Sequence, residues 1–421
     1  MSSFLALIDR SSIFNLIGSI LMKKVLFITW DSPHVSYLET LFLPIFRSLI
    51  SFGYNFHILQ FSWADSAITA SRRQACEDSG FSYSAIPVFR KPQALGAVVS
   101  SVLGSRQILR LINEKNIDIV MPRSTLPALS SLLALRGRNE KLIFDADGLP
   151  LDERIDFAGL SPSSLVYRFL RDIEAQAVRG SNVVITRSEK ASLILQARAG
   201  SGSSQKKFHV VTNGRDVNRF HPRCESERLE AKRKLGIRDE TPLIVYAGSI
   251  GPQYCAGTML DLFAKIKMSR PDSHFLILTG SPEAMDSYLL DRPDISGSVT
   301  IMRADHADVP HWLSAGDLGL AFREPKFSMQ AVAPIKLGEY LLCGLPIVAT
   351  TGVGDSHFIT GDAGFLVGHE SSETIALVSD WFINKVLPNR DKFRSQCVVV
   401  GRKYFSLESS VESYLAALSH C

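Results

Sequence analysis

The chain contains no CxxC pair: its six cysteines, Cys76, Cys224, Cys255, Cys343, Cys397 and Cys421, are scattered over 421 residues. That excludes a zinc ribbon, argues against a disulfide framework and fits a reducing compartment, so a cytoplasmic location is expected. There is no run of 18 uninterrupted apolar residues, hence no evident membrane span. Low-complexity tracts are missing too, and with 46% hydrophobic and 21% charged residues the composition is that of a soluble globular protein. No GxGxxG follows the first apolar run, where TWDSPHVS stands instead, which argues against a nicotinamide or flavin fingerprint. The phosphate loop GxxxxGK[ST] is absent as well, so the chain is no P-loop NTPase.

What is present is enough apolar sequence for two cores, since a chain of this length exceeds one ordinary domain. Charge is unevenly spread. Residues 1–222 carry 26 Lys and Arg against 18 Asp and Glu, whereas residues 223–421 carry 20 against 24. A basic first half suits an anionic surface or acceptor, including an anionic membrane face; no nucleic-acid partner is expected.

Residues 1–21 lack the marks of a secretion signal, because Asp9 and Arg10 interrupt the apolar run and no small-residue cleavage site follows. Apolar residues recur there at roughly helical spacing, which suits an interfacial amphipathic helix. MKKVLFITW, from Met22, reads equally well as a natural start, and a packed extension is the third reading.

From Lys24 onward, short apolar runs alternate with longer amphipathic stretches. VLFIT (25–29), FHILQF (56–61), IDIVM (117–121), KLIFD (141–145), NVVIT (182–186) and FHVVT (208–212) form a first set, with a helix expected over 37–52. After a polar segment at 222–240 the pattern restarts with PLIVYAG (242–248), HFLILTG (274–280), SVTIM (298–302), DLGLAF (317–322), LPIVAT (345–350) and GFLV (364–367). Strands without alternation are buried on both faces, and intervening helices imply parallel crossovers. The expected fold is therefore α/β, with two Rossmann-like doubly wound domains facing a cleft. The divisions are an N-terminal extension (1–21), a first domain (22–222), a second (223–400) and a last helix packing back on the first (401–421). In such sheets ligands sit outside the carboxyl ends of strands.

The segment PIKLGEYLLCGLPIVATTGVGD (334–355) carries the most chemistry. Pro334 suits the first turn of a helix, and free N–H groups at such a start can hold a phosphate. Lys336 and Glu339, three apart, share a face. Lys336 can bring a cation to a diphosphate, and Glu339 can accept from ribose hydroxyls. Taken alone, such a pair is more often a surface salt bridge.

EYLLCGLPIVAT resembles the second half of the donor-site signature, E-x7-E followed by GxPVVA, of the retaining family 4 glycosyltransferases with the GT-B fold. Thr212-Asn213-Gly214-Arg215-Asp216-Val217 resembles that family's junction between domains, YAGSIG (246–251) its glycine loop, and SAGDLGLAF (314–322) a further segment. DADGLPLDERIDFAG (145–159) is similar to a segment of exopolysaccharide and O-antigen transferases. The resemblance covers nearly the whole chain after Lys23, with the motifs in order. Three positions depart from it. The first glutamate of E-x7-E falls on Ala331, the glycine-loop arginine on Ser249, and the following lysine near Tyr254 or Cys255. Lys336, Arg303, Arg323 or loop N–H groups between Gly248 and Gly251 would then offset the diphosphate charge.

The resemblance implies a glycosyltransferase moving a sugar from a nucleotide sugar, UDP- or GDP-type, to a glycan or lipid-linked acceptor in cell-surface polysaccharide synthesis, with retention. Glu339 and Lys336 are the expected catalytic residues. Gly248, Ser249, Gly251, Gly280, Arg303, Pro334, Ile335 and Leu337 are the expected donor contacts. Asp31, Ser32, His34 and Asp147 are expected on the acceptor side. Asp145-Ala146-Asp147 also has the form by which GT-A enzymes hold a metal. The second strand set speaks against that fold, so Asp147 is expected to line the cleft and no metal or other cofactor to be required. An impaired GT-B binding protein, suggested by Ala331 and Ser249, and a GT-B epimerase remain as alternatives.

Overall fold

The computed structural model describes residues 22–33, 35–89, 93–200, 203–359, 361–368 and 371–421. The readings made for residues 1–21 and for His34 lie outside them.

Seven parallel strands form the first sheet: β1 (Lys23–Trp30), β2 (Tyr54–Ser62), β3 (Ser82–Pro87), β4 (Ile119–Pro122), β5 (Lys141–Asp145), β6 (Val183–Thr186) and β7 (Phe208–Val210), in the order β3-β2-β1-β4-β5-β6-β7. Six make the second: β8 (Leu243–Ala247), β9 (His274–Leu278), β10 (Val299–Met302), β11 (Leu318–Ala321), β12 (Ile347–Thr350) and β13 (Gly364–Val367), in the order β10-β9-β8-β11-β12-β13. The chain is thus two doubly wound α/β domains. β3, SYSAIP, escaped the sequence reading because it is an edge strand with half its residues polar or small, so no apolar run marks it. The helix expected over 37–52 opens as a π-turn, Leu38–Phe42, before the α-helix Leu43–Ile50. Pro44, which has no N–H to give, stands at that join.

Strand order reverses beside β1 in the first sheet and beside β8 in the second. The crevices between β1 and β4, and between β8 and β11, are therefore where ligands are held in such sheets. The first core is rich in stacked rings: Phe46 lies 3.9 Å from Phe56 and 4.9 Å from Phe27, centroid to centroid. The helix Leu407–Leu418 completes this core with Val411, Tyr414, Ala417 and Leu418, although it follows the second domain in sequence. Two chain crossings between domains run side by side. The Arg215 N–H donates to Phe405 O (2.8 Å), and the Leu407 N–H donates to Arg215 O (2.9 Å). Among the described residues no helix is long and apolar enough to cross a membrane.

Candidate functional site

At the carboxyl ends of β1, β4, β5 and β6, five charged side chains meet under the cleft. Asp31 follows β1, Arg123 follows β4, Asp145 ends β5, Asp147 lies two residues on, and Arg187 follows β6. Arg187 donates to Asp145 at 2.7 Å, and both are sealed from solvent. Arg123 donates to Asp147 and lies 3.9 Å from Asp31. Asp31 also accepts from Thr29 (2.6 Å) and Gln60 (3.2 Å), which fixes its carboxylate. Asp147 adopts φ 53° and keeps 32% of its side chain open to the cleft. Ringed by protein, its carboxyl is pushed up to about 6 by burial, with Arg123 pulling the other way and Asp145 adding to the rise. Next to it, Gly148 has φ +82°, and a Cβ there would stand 3.2 Å from the carbonyl oxygen of Ala331 in the second domain.

The second domain presents the reverse arrangement. Lys336, in the helix Ile335–Leu342, sends its ammonium under the turn after β8, where Nζ is buried with no hydrogen-bond partner among the described residues. A Cβ on Gly248 would come within 2.7 Å of that nitrogen, and the φ of +151° there favours glycine. Nζ lies 4.0 Å from the Tyr246 ring centroid and 5.0 Å from that of Tyr254; Arg323 stacks on the other tyrosine contact, 4.6 Å from Tyr254. Burial drives the Lys336 amine well below its usual value; Arg323 adds to that and Glu339 opposes it. Two cations sit here around tyrosine faces, at a helix start and a glycine turn. An anion with several oxygens would satisfy all of them.

One segment ties the two clusters together. In the loop after β11, the Ser328 N–H donates to Asp156 (2.8 Å), Gln330 O accepts from Ser188 (2.8 Å), and Ala333 O accepts from Asn213 (2.9 Å). Glu339 accepts from Arg215 Nε at 3.0 Å, and Arg215 in turn donates to Thr40 O (2.9 Å) in the first domain.

Residues 241–385 match the family of glycosyl transferases group 1. Over 168 residues the chain is 26% identical to a GDP-mannose-dependent monoacylated alpha-(1-6)-phosphatidylinositol monomannoside mannosyltransferase of Corynebacterium glutamicum, covering 39% of this chain and 44% of that protein. Over 208 residues it is 26% identical to a D-inositol 3-phosphate glycosyltransferase of Jonesia denitrificans, covering 47% of each. The chain thus spans about half the length of the curated relatives it matches. In three dimensions it is similar to HepE of Anabaena, solved in complex with UDP, with a TM-score of 0.73 at 15% identity over 94% of this chain and 100% of that one. The chain has the GT-B fold.

In this GT-B frame the expected residues are distributed unevenly. Lys336, Gly248 and Glu339 come together. Ser249 and Gly251 lie in the same turn, where the Ser249 carbonyl accepts from Tyr246 (2.5 Å). Pro334 caps the helix, one place before its first residue. Two of the expected donor contacts have side chains that pack inward. Ile335 packs against the first-domain core, and Leu337 is buried in the second-domain core with its N–H donated to Pro334 O (3.1 Å). Gly280 is exposed beyond β9, and Arg303, 70% exposed, pairs with Glu283 at 3.6 Å on the edge-strand side. Ser32 lies in the loop after β1, its carbonyl accepting from Arg72 (3.1 Å). Asp31 belongs to the fixed floor of the cleft. Asp145 and Asp147 each face an arginine, so the acidic pair is already engaged.

Ala331, the position of the family's first glutamate, is fully buried against the first domain. A carboxylate there would lose its water without a partner. Sequence reasoning missed Arg123, Arg187, Arg215 and Tyr246. Arg123 and Arg187 stand directly after strands β4 and β6, the places the strand-end rule singles out. Tyr254, noted only as a non-cation, in fact carries both cations on its ring.

Proposed function

We propose that the chain transfers a glycosyl group from a UDP- or GDP-linked sugar to a saccharide or lipid-linked acceptor, with retention, in building a cell-surface polysaccharide on the cytoplasmic side of a membrane. The observation that carries this reading is the Lys336 ammonium, buried without a partner beneath Gly248 and beside Arg323. A diphosphate gains negative charge as the bond to the sugar breaks. Cations already in place stabilise that charge without reorganising, and in a dry site each is worth more than in water. Support for a nucleotide-sugar donor also comes from the relatives, one described as GDP-mannose-dependent and one solved with UDP.

The first domain supplies the other wall. Asp147, with its carboxyl near 6, is poised to exchange a proton close to neutrality and can orient an acceptor hydroxyl. Arg123 holds it in place. Glu339, shared with Arg215, links donor contact to the junction between domains. No metal takes part in this reading, because Lys336 and Arg323 do the neutralising while Arg123 and Arg187 occupy the acidic pair.

A thermal-shift panel of nucleoside diphosphates and nucleotide sugars tests the reading, since a ligand that binds only the folded chain raises its apparent stability. UDP or GDP is expected to raise the midpoint in the presence of EDTA, and Lys336→Met to abolish the rise. Loss of the shift on chelation, restored by manganese, would defeat the metal-free account. Buried Ala331 favours a second reading, a chain that binds donor without turning it over; product release from donor plus acceptor extract decides against it. Epimer formation from donor alone would replace the transferase by an epimerase.

A further inference from the structure

A large cavity opens at the carboxyl edge of the first sheet. It measures about 910 Å³ and is walled by Trp30, Trp63, Val88, Phe89, Val98 and Phe169, among others. Arg154 is the one ionisable residue on its wall among the described residues. The size is that of a pocket for a whole organic ligand. The ends of β1, β2 and β3 and the helices Gln93–Lys115, Pro150–Ala158 and Leu165–Gly180 all contribute to it. Its mouth is apolar rather than polar: Phe89 is 53% exposed, Phe169 47% and Val166 42%. Single exposed apolar side chains are ordinary, but a cluster of them around a concave apolar space marks a binding surface.

Trp30 lines the cavity from one face of the end of β1, while Asp31, the next residue, turns to the opposite face with Arg123. The helix Pro150–Ala158 turns Arg154 and Ala158 to the cavity and Asp156 to Ser328 of the second domain. A ligand filling the cavity would run along this helix, which also meets the second domain.

We propose that this cavity holds the hydrocarbon chain of a lipid-linked acceptor, with Arg154 beside its anionic head. The proposal rests on the transferase reading and names its acceptor class. An apolar cavity of this volume, with the Arg154 cation on its wall and an apolar rim, matches an amphiphile bearing one long chain and an anionic head. A free oligosaccharide would leave its hydroxyls without partners against these walls.

Two of the chain's four tryptophans, Trp30 and Trp63, line the cavity, so a brominated fatty acid reports entry by quenching them. Titration of the full chain with dibromostearate is expected to give saturable quenching. Ala97→Phe, which fills the cavity from the helix Gln93–Lys115, is expected to weaken binding about tenfold or more. Phe169→Asp on the exposed rim serves as the second variant, with little bearing on folding, and is expected to weaken binding in the same direction. UDP and GDP shifts should be unchanged in both. Absence of saturable quenching, or quenching indifferent to both variants, overturns the pocket while intact nucleotide shifts leave the transferase reading standing. Fatty-acid binding with no nucleotide shift would sink the transferase reading and leave the pocket. Self-association abolished by Phe169→Asp would assign the face to a second copy of the chain and overturn the proposal.

Discussion

The two sheets carry charge at equivalent places, the strand ends beside the reversal of strand order, and handle it in opposite ways. In the first domain three aspartates meet two arginines, and each guanidinium faces a carboxylate. In the second, Lys336 and Arg323 lie close together on tyrosine faces, and Lys336 Nζ has no hydrogen-bond partner among the described residues. A paired cluster has its charges offset without a ligand and acts as a floor, although Arg123 Nε and Arg187 Nη1 are buried with no hydrogen-bond partner among the described residues. An unpaired buried cation raises the energy of the empty protein and is relieved only when an anion arrives. The contrast distinguishes the scaffold side of the cleft from the side that binds.

Arg187→Met gives the largest expected effect. It leaves Asp145 buried and unpaired, which costs about 3–5 kcal/mol of stability by denaturant unfolding. The double variant with Asp145→Leu should recover much of the loss, as coupled partners do. A single-variant loss below about 1 kcal/mol, the range of exposed pairs, would break the picture of a self-sufficient floor.

Lys336→Met tests the other side and should act in two directions. Turnover should fall by about 10²–10³, the effect of removing one donor to a developing charge. The unliganded protein should melt at the same temperature or higher. A base whose folded value lies below its free value is harder to charge when folded, so it costs stability at every pH below the free value, and methionine removes that cost. A large fall in the unliganded midpoint would show that Lys336 is structural.

Glu339 stands between these regimes. Glu339→Ala should lower donor affinity or turnover by about 1.5–3 kcal/mol, the worth of a charged hydrogen bond. Because its Oε1 holds Arg215, Arg215→Ala and Glu339→Ala should not add, with a coupling of about 0.5–3 kcal/mol in a cycle. Strict additivity would detach Glu339 from the junction.

The smallest effect concerns Asp147. Its carboxyl rises from 3.8 unfolded to about 6 folded, so the folded chain holds the proton more tightly. Its contribution to stability is therefore greatest at low pH, falls as pH climbs through that window and is flat above it. The midpoint of the wild-type chain should drop relative to that of Asp147→Asn between about pH 4 and 6. A gap between the two that stays constant across those pH values would remove the shift.

Much of the fold was legible because it is written locally. Twelve of the thirteen strands appear as short apolar runs, and the exception, SYSAIP, is an edge strand that needs no apolar run. The site was half legible. Lys336, Glu339 and Gly248 are marked by a helix start and a glycine turn after a strand. Nothing local distinguishes Leu337, a core residue, from Lys336, a ligand candidate one place away, except the face each presents once the helix has packed.

By itself the sequence determined two parallel sheets, their order along the chain and the strand ends where chemistry collects, because burial on both faces of a strand is recorded in the strand's own residues. Tertiary structure alone decided which charges are neutralised. Asp145 meets Arg187 across 42 residues, Glu339 meets Arg215 across 124, and Ala331 fills the place of an expected glutamate because the turn at Gly148 closes over it. Charge pairing depends on distance in space and on exclusion of water, and neither quantity exists until the chain has folded.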